Sequence, residues 1–590
     1  MSTHASALRP ARFEHLWAWA QDGIEHERSV FGLPRRAFWI GDPAYDLSIA
    51  AHGGRLATPV GVAAGPHTQL AQNLVVAWLA GARVLELKTV QVLDTLEIPR
   101  PCIDAPAADA SVGNNVAYNV EWSQELRLGE SLEQYVSAWA LLHALAPQVL
   151  GAGAAAALAG TRFDASVGYD LAGIRSAPVA AFLDRLADAS DLMTRMRDAL
   201  PAAARAQWPQ DAPSRVTDTV TLSSFHGCPP EEIERIVEHL FARHALNVVV
   251  KLNPTLLGFD AVDALLHGPL GWDHVSLDRS AFERDLQFTD AVAMLTRLQS
   301  AAARHGRTLG VKLTNTLVVH NTRGRLAGEA VYMSGAPLHP IAITLADRLA
   351  GAMSVPLPMS LSAGVNAENF ADAIACGFAP ATTCTDLLRP TGYRRLPRYL
   401  KALQSEMSRL GADDIDALKR ARAAERGEAH VSAADAARAN LTAYAAQVGS
   451  ERRYAAALPP AAASMRPALE LVDCDSCNQC ALACPNGAIS DCPSPAGAAQ
   501  RERQWWVFAD FCNECGNCDT WCPQEGGPYR VKTRVHVSAE AYAQDAGAHR
   551  ALLEDGAVSA ATGEFERRVA GQALADGTML RALTREGAKR

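Results

Sequence analysis

Eight cysteines in two matched runs constrain this chain more than any other feature. The first run is C-D-S-C-N-Q-C-A-L-A-C-P, Cys474 to Pro485, and the second is C-N-E-C-G-N-C-D-T-W-C-P, Cys512 to Pro523. Both follow C-x2-C-x2-C-x3-C-P. Three thiolates at this spacing wrap one cubane in a tight loop, while the fourth is carried onto the next helical turn and reaches a second cluster. The spacing therefore assigns Cys474, Cys477, Cys480 and Cys522 to one [4Fe-4S] cluster, and Cys512, Cys515, Cys518 and Cys484 to the other. Structural zinc, the competing reading, prefers paired C-x2-C knuckles with longer gaps.

The runs predict an α+β, bacterial-type two-cluster ferredoxin domain over residues 466–540. Between them the chain makes a longer excursion, Asn486 to Phe511, with a strand-like stretch at Trp505, Trp506, Val507 and Phe508. Cys492 lies in this insert and reads as a spare thiol in a loop. With Cys102, Cys228, Cys376 and Cys384 scattered elsewhere, the thirteen cysteines are distributed as in metal sites of a reducing compartment, not as a disulfide framework. The N-terminus lacks a secretory pattern and no bilayer span is expected, so the reading is cytoplasmic with no membrane partner. A net charge of −9 without a basic stripe argues against nucleic acid.

A length of 590 residues predicts more than one domain. Upstream of the cysteines, short runs rich in valine, leucine and threonine alternate with longer helical patterns, as in parallel β/α units. Eight such runs occur, Thr58 to Gly65, Arg83 to Val90, Phe163 to Asp170, Thr219 to Gly227, Asn247 to Pro254, Thr308 to Asn315, Pro356 to Gly364 and Ala381 to Leu388. Covering helices are expected at Gln69 to Ala80, Glu231 to Arg243, Phe282 to Arg304, Pro340 to Ala350 and Ala367 to Cys376. The expected fold class is α/β, a (β/α)8 TIM barrel over residues 58–400, preceded by an extension over 1–57 that packs on it. A helical linker (401–465) joins it to the ferredoxin-like domain, and 541–590 form a tail.

In a barrel, chemistry sits at the C-terminal ends of strands. Here those ends carry A-A-G-P-H-T (63–68), K-T (88–89), S-S-F-H-G-C-P-P (223–230), K-L-N-P (251–254), K-L-T-N-T (312–316), S-A-G (362–364) and C-T-D (384–386). The glycine turns Ser334-Gly335 and Ala363-Gly364 fall where barrels bind phosphate, and the apolar flanks of Lys88 and Lys251 pull these lysines inward. The string G-A-G-A-A-A from Gly151 lacks the strand and acidic partner of a dinucleotide site and reads as noise.

These motifs, together with T-P-V-G-V-A-A-G-P-H-T-Q-L-A-Q-N, E-L-K-T-V-Q, N-V-E-W-S, H-G-C-P-P-E-E-I-E, V-K-L-N-P-T-L-L-G and Y-M-S-G, resemble the flavin barrel of dihydroorotate and dihydropyrimidine dehydrogenases. They are more similar still to the bacterial family of selenate reductase-type subunits. The resemblance implies FMN bound by Ala64, Gly65, Lys88, Asn119, Lys251, Ser334, Gly335, Gly364 and the turn Thr383, Cys384, Thr385. It implies substrate contacts from Asn119, Glu121, Asn315 and Thr316. The longer relatives insert an FAD and NAD(P)-binding region before the ferredoxin module, and here only a short helical stretch stands there. Electrons are therefore expected to come from or go to an external ferredoxin or NAD(P)H-linked flavoprotein. Where dihydropyrimidine dehydrogenase-like sites offer a cysteine acid, this chain has Ser224. Ser224 leads by position and Cys228 by chemistry, with His226 on the same loop.

The expected function is an FMN and iron-sulfur oxidoreductase acting on a small nitrogen heterocycle of purine, pyrimidine, hydantoin or imidazolone type. Asn119 and Asn315 would read its amide edges. Two other readings keep the fold: a desulfurase or deselenase acting on a thio- or seleno-substituted ring, and an electron-transfer subunit of a larger reductase. Assembly into a homo-oligomer is left open.

Overall fold

Runs such as N-V-V-V-K-L, with β-branched residues at successive positions, suit strands buried on both faces. Eight of them form the barrel: β1 (Val60–Val62), β2 (Val84–Glu86), β3 (Arg162–Val167), β4 (Thr219–Ser223), β5 (Asn247–Leu252), β6 (Leu309–Leu313), β7 (Met359–Leu361) and β8 (Ala381–Thr383). In this computed structural model they pair in parallel and close on themselves in chain order, β8 against β1 and β2 against β3. Seven of the eight strand runs read from the sequence contain one of them, and the eighth, Phe163 to Asp170, overlaps β3, which starts one residue earlier at Arg162. The description covers residues 8–584 apart from 94, 95, 97, 106–115, 121, 122, 207, 209–211, 224, 225, 429–431, 457–465, 498 and 499.

Helices Ala71–Leu79, Pro230–His244, Leu338–Ala352 and Phe370–Ala375 lie where amphipathic patterns placed them. The stretch expected as one helix over 282–304 is two, Arg279–Arg284 and Phe288–His305, interrupted where Asp285 takes an extended backbone. A hairpin, Ile49–Ala51 with Gly54–Leu56, plugs the N-terminal end of the barrel. Its turn residue Gly53 has φ +74° and lies so close to Asn247 at the start of β5 that a Cβ would come within 2.8 Å of that side chain. At the opposite end stands a four-stranded antiparallel sheet made of Ile103–Asp104, Val116–Asn119, Leu317–His320 and Ala330–Gly335. Ser334 and Gly335, read from the sequence as a turn, end the last of these strands.

The stretch from 401 folds back onto the barrel. Its helices Ile415–Ala424 and Ala433–Val448 pack there, Arg438 pairing with Asp347 (2.5 Å) and Asn440 donating to the Ala375 carbonyl (2.8 Å). The extension does more than pack on the barrel. Its helix Phe13–Asp22 also stacks Trp19 on Phe511 (centroids 6.2 Å apart) and pairs Asp22 with Arg581 (3.5 Å).

The C-terminal unit is built on a five-stranded sheet, Ile489–Pro493, Arg503–Phe508, Thr533–His536, Arg550–Glu554 and Ala557–Ala561. Its last two strands come from the segment expected to be a tail, and helix Glu564–Asp576 covers the sheet. Cys492 is a fully buried strand residue under that helix, its thiol 3.7 Å from the Val569 carbonyl, not a loop thiol. Among the described residues one helical stretch, Leu128–Ala159, is long and apolar enough to cross a membrane. Its first part packs Tyr135, Leu141, Leu142 and Leu145 into the protein core.

Candidate active site at the barrel mouth

The barrel interior is charged. Glu86 on β2 is fully buried and pairs with Lys312 on β6, and Lys251 on β5 lies 3.8 Å from its other oxygen. Since β2 and β6 face each other across the barrel, the Lys312–Glu86 pair spans its interior. Burial pushes the Glu86 carboxyl up, but Lys312 and Lys251 overcome it and hold the group at about 2. Glu86 also accepts the Ala64 N–H (3.0 Å), so the brace reaches the backbone of the mouth.

Asp164 on β3 is buried beside this brace and accepts the Thr221 hydroxyl at 2.5 Å. Burial, then the Glu86 charge, raise its carboxyl from 3.8 to about 7. A raised acid binds its proton more tightly in the folded state. Its stabilising contribution is therefore full below the ordinary value of 3.8 and is lost as pH rises through about 7. Asp164→Asn is expected to flatten the decline of unfolding free energy across that window, measured by urea titration at a series of pH values.

Above the brace lies a cavity of about 480 Å³, within the range of cofactor and ligand sites. Ala64, Gly65, Lys88 and Lys251 line one side of it, and Ser334, Gly335, Gly364, Thr383, Cys384 and Thr385 another. The two glycine turns touch. Gly364 has φ +56°, and a Cβ there would lie 2.5 Å from the Gly335 carbonyl oxygen. A Cβ on Gly65 would lie 2.6 Å from Cys384 Sγ. The Thr385 hydroxyl donates to Ser334 Oγ (2.9 Å), and the next residue, Asp386, is held by Arg395 (2.8 and 2.9 Å) and Tyr399 (2.7 Å). Small residues, hydroxyls and backbone amides in a rigid frame suit a phosphate group. Burial is the main cause that lowers Lys88, to about 8, with Glu125 opposing it, and burial likewise lowers Lys251. Two buried lysines beside these turns suit an anionic cofactor such as FMN.

The remaining wall is polar and aromatic. Asn119, Asn315 and Thr316 line it, the Asn119 amide donating to the Val120 carbonyl (2.8 Å) and Asn315 to Asn253 Oδ1 (3.2 Å). Glu121 and Ser224 lie outside the described residues. His226 lines the cavity, and its Nδ1 lies 2.9 Å from the Asp285 carboxylate. Asp285 is itself held by the Thr255 hydroxyl (2.6 Å), the Gly227 N–H (2.9 Å) and Asn253 (3.1 Å). Burial pushes its carboxyl up, but the hydrogen bond and charge of His226, with Thr255 and Gly227, leave it below its ordinary value. An ionised Asp285 accepting the Nδ1 proton leaves Nε2 as the other nitrogen of the ring, and that atom is buried with no hydrogen-bond partner among the described residues.

Cys228 is not brought into the cavity. It is buried with its thiol 3.9 Å from the Pro229 carbonyl, and burial, then Glu232 and Asp170, push the thiol up to about 12. Sequence reasoning missed Asp285, which lies at a helix break with no motif around it, and Tyr332, which reaches the cavity from the antiparallel sheet.

The last cysteine of the second run comes together with the first three of the first run. Cys474, Cys477, Cys480 and Cys522 line one small cavity of about 20 Å³. Burial, followed by Cys522, Cys477 and Cys474, pushes Cys480 up to about 12. Cys518 is raised by burial and then by Cys515, Cys512 and Cys484. Backbone N–H groups of Ala488 and Gln524 point at the crossing sulfurs of Cys484 (3.3 Å) and Cys522 (3.4 Å), an arrangement that favours thiolate. Among the described residues no three such side chains converge tightly enough for a single metal ion. Eight cysteines in two C-x2-C-x2-C-x3-C-P runs are a donor set of the kind that iron-sulfur clusters use.

A (β/α)8 barrel with its cavity at the C-terminal mouth has the architecture of barrel enzymes. More narrowly, the family described as "Oxidoreductase YgfK, N-terminal TIM-barrel domain" matches residues 31–434, and this chain belongs to it. It is 39% identical over 428 residues to the "Putative oxidoreductase YgfK" of Escherichia coli strain K12, and equally to that of Escherichia coli O157:H7. The match covers 69% of this chain and 40% of those relatives, which are considerably longer. A ligand-free type DHODH from Eimeria tenella is 14% identical with a TM-score of 0.43, the likeness covering 68% of this chain and 96% of that one.

Proposed function

We propose that this chain is an FMN and iron-sulfur oxidoreductase acting on a small nitrogen heterocycle, with two [4Fe-4S] clusters carrying electrons to or from a separate redox protein. The observation that carries this reading is one cavity bordered by touching glycine turns and buried lysines, in the same fold as the two cysteine runs. FMN, when bound, would supply hydride exchange at N5 and one-electron exchange with the clusters.

The chain's own residues have distinct tasks. Gly335, Gly364 and the 383–385 turn would receive the phosphate, and Lys88 and Lys251 would balance negative charge above the Glu86 brace. Asn119 and Asn315 present amide groups to an amide-edged ring, with Thr316 beside them. His226, oriented by Asp285, is placed to give or take a proton from its Nε2. This loop was read from sequence with Ser224 and Cys228 ahead of His226. The buried position of Cys228 and the hydrogen bond that orients His226 through Asp285 favour the histidine. Anaerobic purification followed by flavin, iron and sulfide analysis tests the cofactors, and a panel of oxidised and reduced heterocycles tests the substrate class. One equivalent of FMN and about eight irons, with flavin bleaching or reoxidation by a panel member, is expected; absence of flavin overturns the proposal.

A further inference from the structure

The second cysteine run touches the cavity wall. The Cys515 carbonyl accepts the N–H groups of Cys102 (3.1 Å) and Ile103 (2.9 Å), and Ile103 lines the cavity. Asn517 is fully buried and donates to the Leu388 carbonyl (2.8 Å), and Leu388 is another wall residue. The two runs differ at one matched position in a way this contact explains. Asn478 and Gly516 both sit at positive φ, 66° and 89°. Asn478 is exposed, whereas a Cβ on Gly516 would lie 2.6 Å from Pro101 Cβ. Only glycine lets the Cys515 loop seat this closely on the barrel.

A buried ion pair occupies the seam. Arg100 donates to Glu125 (2.7 Å) and to Cys102 Sγ (2.8 Å), and the two charged side chains are 10% and 4% exposed. Asn513, beside Cys512, donates to the same Glu125 carboxylate (2.9 Å). The field of Arg100 reaches Cys515, and that of Glu125 reaches Lys88 in the cavity wall. The first run has the opposite setting, with Cys477 exposed and Cys474 half-buried.

Building on the proposed function, we infer that Cys512, Cys515, Cys518 and Cys484 hold the pocket-side electron relay and that Arg100 and Glu125 are positioning residues that set its potential. The Cys474, Cys477, Cys480 and Cys522 set is the outer relay, facing a one-electron carrier protein. One electron passes at each step and no bond is made or broken. Reduction adds negative charge to a cluster, so a buried cation beside it favours the reduced form and a buried anion opposes it.

The test is an EPR-monitored potentiometric titration of the full chain purified anaerobically, after flavin, iron and sulfide have been counted. Arg100→Leu is expected to shift one of two cluster midpoints downward, Glu125→Gln to shift the same one upward, and Arg100→Lys to fall between wild type and Arg100→Leu. Cys477→Ser marks the outer relay, so the shifted signal should be the one it leaves unchanged. A purely structural role for the pair does not produce opposite signs on one centre. A chain that holds no flavin or clusters overturns the proposed function and this inference together. Full cofactor content with no shift, equal shifts of both centres, or a shift confined to the signal that Cys477→Ser alters overturns this inference alone.

Discussion

His226→Gln is expected to lower turnover of a heterocycle that bleaches the bound flavin by about two to four orders of magnitude, the usual worth of a positioned acid or base. The argument rests on the division of the ring. Asp285 takes Nδ1 at 2.9 Å and is held from three other directions, so the imidazole cannot turn without breaking a buried network. Nε2 is left buried with no partner among the described residues, so it is the nitrogen open to proton exchange with a ligand. Asp285→Asn keeps the shape but gives up the carboxylate that accepts the Nδ1 proton, so it should also lose activity. Cys228→Ser should stay near wild type, because that thiol faces the Pro229 carbonyl. Stopped-flow flavin bleaching across pH measures all three. A His226→Gln variant with unaltered bleaching rates would remove the histidine from the chemistry.

Glu86→Gln is expected to destabilise the barrel by about 3–5 kcal/mol, the cost of breaking a buried ion pair from one side. Two lysine side chains, Lys312 and Lys251, converge on this one carboxylate, and without it they repel each other in a largely buried layer. Such a loss is a large part of the roughly 5–15 kcal/mol by which domains are stable. The Ala64 N–H loses an anionic acceptor in the same step, so flavin retention should fall with the melting temperature. Denaturant unfolding and flavin content of the purified variant check the two effects separately.

The barrel was legible because parallel strands buried on both faces need unbroken apolar runs. Stretches such as Val248 to Val250 therefore stand out without any partner in view. The glycine and lysine residues at strand ends were legible for a related reason, since a barrel brings every strand end to one mouth. Gly65, Lys88, Lys251, Gly335 and Gly364 line one cavity. The antiparallel sheet over that mouth was not legible, because its strands are short and come from two insertions far apart in the chain. Nor were the last two strands of the C-terminal sheet, R-A-L-L-E and A-V-S-A-A, whose weak alternation becomes strand only once the first pairs with Thr533–His536 and the second pairs with the first.

By itself the sequence carries the expected pairing of the cysteines, because C-x2-C-x2-C-x3-C-P spacing is local geometry and a crossing fourth thiolate is what one further helical turn implies. It also determined the count and order of barrel strands. Tertiary structure alone decided which quartet faces the cavity, that Glu86 joins two lysines across the barrel, and that Asp285 stands behind His226. Each of these joins residues more than fifty positions apart, and a contact of that kind carries no periodicity or motif along the chain until the fold closes.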